Sequence, residues 1–225
     1  MKGDDVLKSK RTDLGHGKVS SLLFKLALPA IIAQLVNVLY NIVDRIFIGR
    51  MANGEIAMAG VGVAFPIIMI VSAFSSLIGM GGAPLASIKM GENDEEGAEE
   101  ILSNSFSLLV MVGATLTILV LIFQDPILWA FGASETTIGY AKDYLSIYAM
   151  GTIAVQIALG MNPFINAQGF AKVGMMTVVI GALINIVLDP IFIFGLKLGV
   201  KGAAIATILS QVVSAIWVMI FLTSK

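Results

Sequence analysis

The chain has 225 residues, 57% of them hydrophobic and 13% charged, with a net charge of −1. A soluble domain carries about 25% charged residues, so too little polar material is present to cover a water-facing surface, and the outside of the fold must be apolar, as in a bilayer. The small net charge gives no bulk pull toward nucleic acid, and the absence of cysteine excludes disulfides, thiol catalysis and zinc–thiolate sites.

Residues 1–18 are charged and contain glycine, without the short apolar core or small-residue cleavage site of a signal peptide. With the next three residues they read as a cytoplasmic leader, 1–21, in which the single histidine, His16, is a solvated side chain. Charge-free runs follow at 26–43, 56–88, 101–124, 144–171, 173–188 and 202–224. A spanning helix needs about 17–25 mostly apolar residues, and each run qualifies alone or with its flanks. The expectation is an all-α membrane protein whose residues 22–225 form a lobe of six transmembrane helices. The spans are expected at about 22–49, 56–88, 101–124, 140–168, 172–196 and 202–223.

The second run, 33 residues long, exceeds one span. Its Pro66, Gly79, Gly81, Gly82 and Pro84 read as kink and tilt in one helix rather than as two spans. Gly79-Met-Gly-Gly82 lacks the Lys-Ser/Thr of a phosphate loop and reads as close helix packing. The acidic stretch 92–100 reads as a solvated loop capping the third span. Lys and Arg number nine on the side of the amino terminus and five on the other, with six before the first span. That bias predicts that both termini lie in the cytoplasm.

Two carboxylates fall inside or at the outer margin of spans, Asp44 in the first and Asp189 in the fifth. A charge at mid-bilayer costs about 2.5–3.5 kcal/mol on insertion scales, so such residues line cavities or have partners. Asp44 lies 19 residues beyond Lys25 and Asp189 lies 17 beyond Lys172, rises of about 28 and 26 Å, which puts both at similar depth toward the outer side. Gln34, Asn37, Asn41 and Asp44 share one helix face, as do Thr177, Gly181, Asn185 and Asp189, and as do Thr207, Ser210, Gln211 and Ser214. Turned to lipid these stripes would lack partners; turned to one another they enclose a polar cavity. For Gln34, Asn37 and Ser210 a purely structural hydrogen-bond network is an equal alternative. Pro29, Pro66, Pro163 and Pro190 inside spans serve packing or act as hinges. A short echo relates Asn41-Ile-Val-Asp44-Arg-Ile-Phe-Ile-Gly49 to Asn185-Ile-Val-Leu-Asp189-Pro-Ile-Phe-Ile-Phe-Gly195.

Two carboxylates in a low-dielectric pocket cannot both stay charged and can share a proton. Oxygens of Asp44, Asp189 and Asn185 also suit a hard cation such as Na⁺. Either use is a coupling-ion site, completed by Asn41 and Thr207, with no cofactor beyond H⁺ or Na⁺. Pro29, Gln34, Asn37, Pro190 and Gln211 are candidates for hinge or cavity lining. No Ser/His/Asp set or metal cluster is available, so an enzyme is not expected.

Pro29, Gln34 and Asn41-x-x-Asp44-x-x-Phe47-Ile48-Gly49 resemble the first helix of the MATE (multidrug and toxic compound extrusion) family of antiporters. Asn166-Ala-Gln168-Gly169-x-x-Lys172, with Asn166 where the family often has Arg, is similar to the end of its fourth helix. Asn185-x-x-x-Asp189-Pro190 and Gly199-x-x-Gly202-Ala-Ala-Ile-Ala-Thr207 are similar to its fifth and sixth. The style is closer to DinF- and MepA-like members than to the NorM group. The resemblance implies twelve helices in two six-helix lobes, of which this chain is the amino-terminal one. It implies that the acids matching Asp44 and Asp189 bind the exchanged H⁺ or Na⁺, with Asn185 and Thr207 in the same polar site and a bend of the first helix at Pro29. Amphipathic, often cationic drugs would leave through the cleft between lobes, across a bacterial or archaeal plasma membrane. Six spans of about 25 residues leave no room for a second set, so the other lobe must come from another chain or a missing carboxy-terminal half. The alternatives are a lipid-linked-oligosaccharide flippase of the same superfamily, against which no Lys or Arg lies well inside a span, and a non-transporting membrane fragment.

Overall fold

The computed structural model describes residues 19–224, the side chains of Ser21 and Leu22 excepted. The expectations for residues 1–18, including His16, Lys2, Lys8, Lys10, Arg11 and Lys18, and for Lys225 lie outside the described residues. The described helices are α1 Val19–Gly49, α2 Gly54–Gly91, α3 Glu95–Ala130, α4 Ile138–Met150, α5 Thr152–Ala167, α6 Ala171–Pro190 and α7 Val200–Thr223. A π-helical turn, Ile191–Gly195, continues α6. Five of these units, α6 with its π turn counting as one, are long and apolar enough to cross a membrane; α4 and α5 together make a sixth span bent by 60°. The described residues therefore form an all-α membrane bundle of six spans, the bent pair counting as one.

Short connections and end-to-end contacts show that the spans alternate in direction. At the end where α1 stops, Asn53 donates to the Tyr140 hydroxyl (3.4 Å). Lys142 pairs with Asp125 (2.8 Å), and Lys201 with Asp143 (3.4 Å). At the end where α1 starts, the Ser87 hydroxyl donates to the Ala167 carbonyl (3.3 Å) and Phe170 meets Phe221 edge-on. These two groups of contacts mark the far and the near end of the bundle, respectively.

Helix boundaries follow local chemistry. Asp94 caps α3, its carboxylate accepting from the Gly97 amide (2.9 Å), and Glu95 and Glu96 complement the positive end of the helix dipole. Gly199 has φ +59° and ψ −133°, a backbone region open mainly to glycine, and so permits the turn into α7. α2 runs unbroken through Pro66 and Pro84 as one 38-residue helix, about 57 Å long, longer than a hydrocarbon core of about 30 Å.

The fourth stretch, expected as a span at about 140–168, is bent by 60° at Gly151. No proline marks the break; Pro163 sits inside α5. A tertiary contact meets the chain at the break. The Ile208 side chain of α7 presses on Gly151 so closely that any Cβ there would overlap it. Side chains add bonds at the carbonyls beside the break: Thr117 donates to the Ala149 carbonyl (2.8 Å) and Thr152 to that of Tyr148 (3.4 Å).

Packing is inverted relative to a soluble protein. The interior is rich in Ala and Gly, while Leu23, Phe24, Leu77, Met80, Met111, Ile122 and Ile220 are well exposed. Small residues let helices approach closely. At the α2–α5 crossing Gly79 lies against the Gly160 backbone carbonyl, which is the packing expected for the Gly79–Gly82 run. A buried pair also joins these helices: Ser75 donates to Gln156 Oε1 (2.6 Å) and Gln156 Nε2 to the Val71 carbonyl (3.1 Å). α1 is the peripheral element, packed chiefly along α6.

Candidate functional site

The site forms at the far end, where α1, α6 and α7 meet. Asp189 and Asn185 share one face of α6, one turn apart, and both are fully buried. Asn185 Nδ2 donates to Asp189 Oδ1 (3.2 Å) and approaches Thr207 Oγ1 on α7 (3.5 Å). Asp44, buried on α1, faces this group, and its carboxylate is near enough to Asp189 for their charges to interact. The next residue, Arg45, turns outward and lies over the Phe65 ring, 5.1 Å from its centroid.

Three buried side-chain oxygens here, Asp44 Oδ1, Asn185 Oδ1 and Asp189 Oδ2, have no hydrogen-bond partner among the described residues. A buried polar atom left unpaired costs about 1–3 kcal/mol, and the penalty falls if a ligand supplies a partner. Acceptor oxygens without donors fit a proton on a carboxylate or a small hard cation. Pro190 adds to this. It carries no N–H for the Ile186 carbonyl, and the chain then winds into the π turn, where the Leu196 amide donates to the Ile191 carbonyl (2.8 Å).

The polar stripes expected on α6 and α7 do face one another. Ser214 donates to the Thr177 carbonyl (3.3 Å), Gly181 abuts the Ser214 hydroxyl, and Ser210 donates to the Thr207 carbonyl of its own helix (2.7 Å). The α1 stripe converges less. Asn41 is one turn from Asp44, but its amide donates to the Asn37 carbonyl (2.8 Å) and to Asn37 Oδ1 (3.0 Å), within α1. Asn37 is half-buried and Gln34 exposed, about 10 and 15 Å from Asp44 along the helix. Pro29 is buried, about 22 Å away. Gln211 is half-buried one turn beyond Thr207, and Pro190 half-buried beside Asp189.

Sequence reasoning missed Tyr144. It is buried on α4 beside the Thr207 side chain, within electrostatic reach of Asp44, and its ring stacks on Tyr148 (centroids 6.3 Å apart, 16° between planes). The signal available was Tyr140, Tyr144 and Tyr148 at steps of four, one helix face. The echo between residues 41–49 and 185–195 has a spatial counterpart: α1 and α6 run side by side, and Phe47 meets Phe194 edge-on at 6.3 Å.

Comparison with known proteins bears on the chain as a whole. The MatE family model matches residues 29–191. The multidrug export protein MepA of Staphylococcus haemolyticus is 32% identical over 210 residues, which cover 93% of this chain and 46% of MepA. A FAD transporter of Shewanella oneidensis is 28% identical over 207 residues, covering 88% of this chain and 45% of that protein. Among solved structures, a multidrug resistance MATE family transporter of the MOP superfamily in an outward-facing conformation superposes with a TM-score of 0.86 at 31% identity, over 100% of this chain and 48% of that one. The chain thus spans about half the length of the relatives it matches. With the family model matched over residues 29–191 and a relative 32% identical over 93% of its length, the chain belongs to the MATE family.

Proposed function

We propose that this chain is the amino-terminal lobe of a cation-coupled antiporter that exports amphipathic, often cationic drugs or toxic compounds. Asp44 and Asp189 bind the coupling ion, H⁺ or Na⁺, and Asn185 and Thr207 complete the site. The observation that carries the reading is the convergence of three unpartnered buried oxygens on two carboxylate-bearing helices. Ion binding would neutralise charge that the apolar surroundings penalise and so shift the balance between conformations. A second six-helix lobe forms the opposite wall of the drug path, and the protein sits in a plasma membrane with both termini cytoplasmic. Among the described residues, Lys and Arg lie toward the span ends. That argues for a cationic cargo over a phosphate-bearing one such as a flippase substrate.

The test is ion-driven drug exchange in proteoliposomes holding this lobe with its second lobe, under a Na⁺ or a proton gradient. Asp44→Asn and Asp189→Asn should each abolish exchange at equal protein level. Undiminished exchange by both variants would refute the assignment, and the gradient that drives exchange names the ion.

A further inference from the structure

Adjacent residues of α7 face two different places. Thr207 points into the cation pocket, where Asn185 approaches its hydroxyl. Ile208, the next residue, fills the notch at Gly151 where the fourth span bends by 60°. The contact is tight: a Cβ on Gly151 would overlap three side-chain carbons of Ile208. Consecutive helical residues point about 100° apart, so one turn of α7 serves both sites. That turn is also locally adjustable, because Ser210 takes the Thr207 carbonyl at i−3 (2.7 Å), a bond that competes with the helical ladder and bends helices.

Room for movement is present beside the notch. An apolar groove of about 520 Å³ runs between the bent span and α7, lined by Met150, Ala154, Ile157, Leu209 and Val212 together with Gly151 and Ile208. A small rotation of α7 can carry Ile208 toward this groove with little polar cost. Beyond the notch both arms of the bend are gripped by one turn of α2. Gln156 on α5 bonds Ser75 and the Val71 carbonyl, and Tyr148 on α4 lies beside Ser72. The bend is therefore a joint whose two arms are each held to α2, and Ile208 supplies the atoms of α7 nearest to Gly151.

We propose that Ile208 is a wedge coupling the occupancy of the cation pocket to the angle of the α4–α5 bend: Thr207 senses the ion and Ile208, on the same turn, transmits its position to Gly151. The inference rests on the cation-site reading of Asp44 and Asp189. Ile208 touches no ion; it is a positioning residue that acts through Thr207. Because coupling is reciprocal, changing the wedge must change ion affinity even though the pocket is untouched.

The protein lacks cysteine, so spin labels can be placed without removing native thiols. Gly139→Cys on α4 and Asn166→Cys on α5, both exposed, report the bend by electron–electron distance measurement in lipid nanodiscs. Ion binding is read as retained radiolabelled Na⁺, and as proton uptake relative to the Asp44→Asn/Asp189→Asn variant. In the otherwise unaltered chain, saturation with the bound ion should shift the label distance by about 2 Å, the size of ordinary helix shifts. Ile208→Ala should remove that shift and weaken ion binding about ten-fold, within the range typical of coupled sites. Gly151→Ala should also weaken binding, and Gly151→Ala/Ile208→Ala should return it to within about two-fold of Ile208→Ala alone, as expected when both changes act at one contact. If Ile208→Ala does not fold, Ile208→Val and Gly151→Ala carry the test. Ion binding with an unmoved bend, or a shift that survives loss of the wedge, overturns the coupling. Absence of any ion binding in the unaltered chain instead overturns the cation-site reading itself, and this inference with it.

Discussion

Asn185 holds the candidate site together, because one amide nitrogen serves both Asp189 and Thr207. Asn185→Leu keeps the volume and removes that donor. A lost bond that leaves a buried partner unpaired costs about 1–3 kcal/mol, so ion affinity should fall by roughly ten- to a hundred-fold. Radiolabelled Na⁺ binding or proton uptake checks this, and unchanged affinity would remove Asn185 from the site. At the near end, Asp94 accepts from Lys89 (2.9 Å) and from the Gly97 amide. The Lys89 contact first, and the amide second, hold its carboxyl below the usual range. A depressed folded value means stability that is present above the unfolded value and lost as pH falls through the folded one. The melting temperature of Asp94→Ala should therefore lie below that of the unaltered chain near neutral pH, and the gap should close in strong acid. Asp44 and Asp189 stood out in the sequence because a carboxylate in an apolar run is too costly to be idle, and Asn185 and Thr207 because each lies on a polar stripe along one helix face. Spacing fixes a face but not a rotamer, so nothing in the sequence told that Asn41 would bond to Asn37 in its own helix. Nor did it tell that Tyr144, apolar in body, would bring its hydroxyl to Thr207.

At the scale of elements, the charge-free runs marked the spans because hydrocarbon demands that backbone polar groups be paired inside each segment. The breaks were less legible. Proline signals kinks in sequence, yet α2 passes two prolines unbroken while the fourth span bends at Gly151, against which a side chain from α7 is packed. The glycines of α2 also divide by contact rather than by identity. Gly79 faces a backbone carbonyl that cannot retreat, whereas a methyl group at Gly81 would meet open space. Gly79→Ala should destabilise by about 1–3 kcal/mol through overpacking, read as a lower thermal midpoint in detergent. Gly81→Ala should be neutral or stabilising by up to about 1 kcal/mol, since alanine is the better helix former. Equal effects of the two substitutions would mean that the α2–α5 crossing is looser than the Gly79–Gly160 approach requires.

At the scale of the molecule, composition was sufficient for the membrane assignment, and alternation of spans for the grouping of their ends. Orientation is more finely balanced. Among the described residues the near end holds Lys25, Lys89 and Lys172, while the far end holds Arg45, Arg50, Lys142, Lys197 and Lys201. The bias that predicts cytoplasmic termini therefore resides in Lys2, Lys8, Lys10, Arg11 and Lys18, together with Lys225. The acidic run 92–100 does not offset it, because acids contribute little to orientation. Single cysteines at Gly91 and Glu135, both exposed and at opposite ends, make this measurable with a membrane-impermeant maleimide. Glu135→Cys should label in intact cells, and Gly91→Cys only after the membrane is opened. Replacing the five basic residues of 1–18 by glutamine leaves four cations on the near side against five on the far side. The bias then disappears, and Gly91→Cys should begin to label in intact cells as a fraction of molecules insert inverted. If labelling at both positions is indifferent to those five residues, the bundle itself sets its orientation, and charge in the leader is not the determinant.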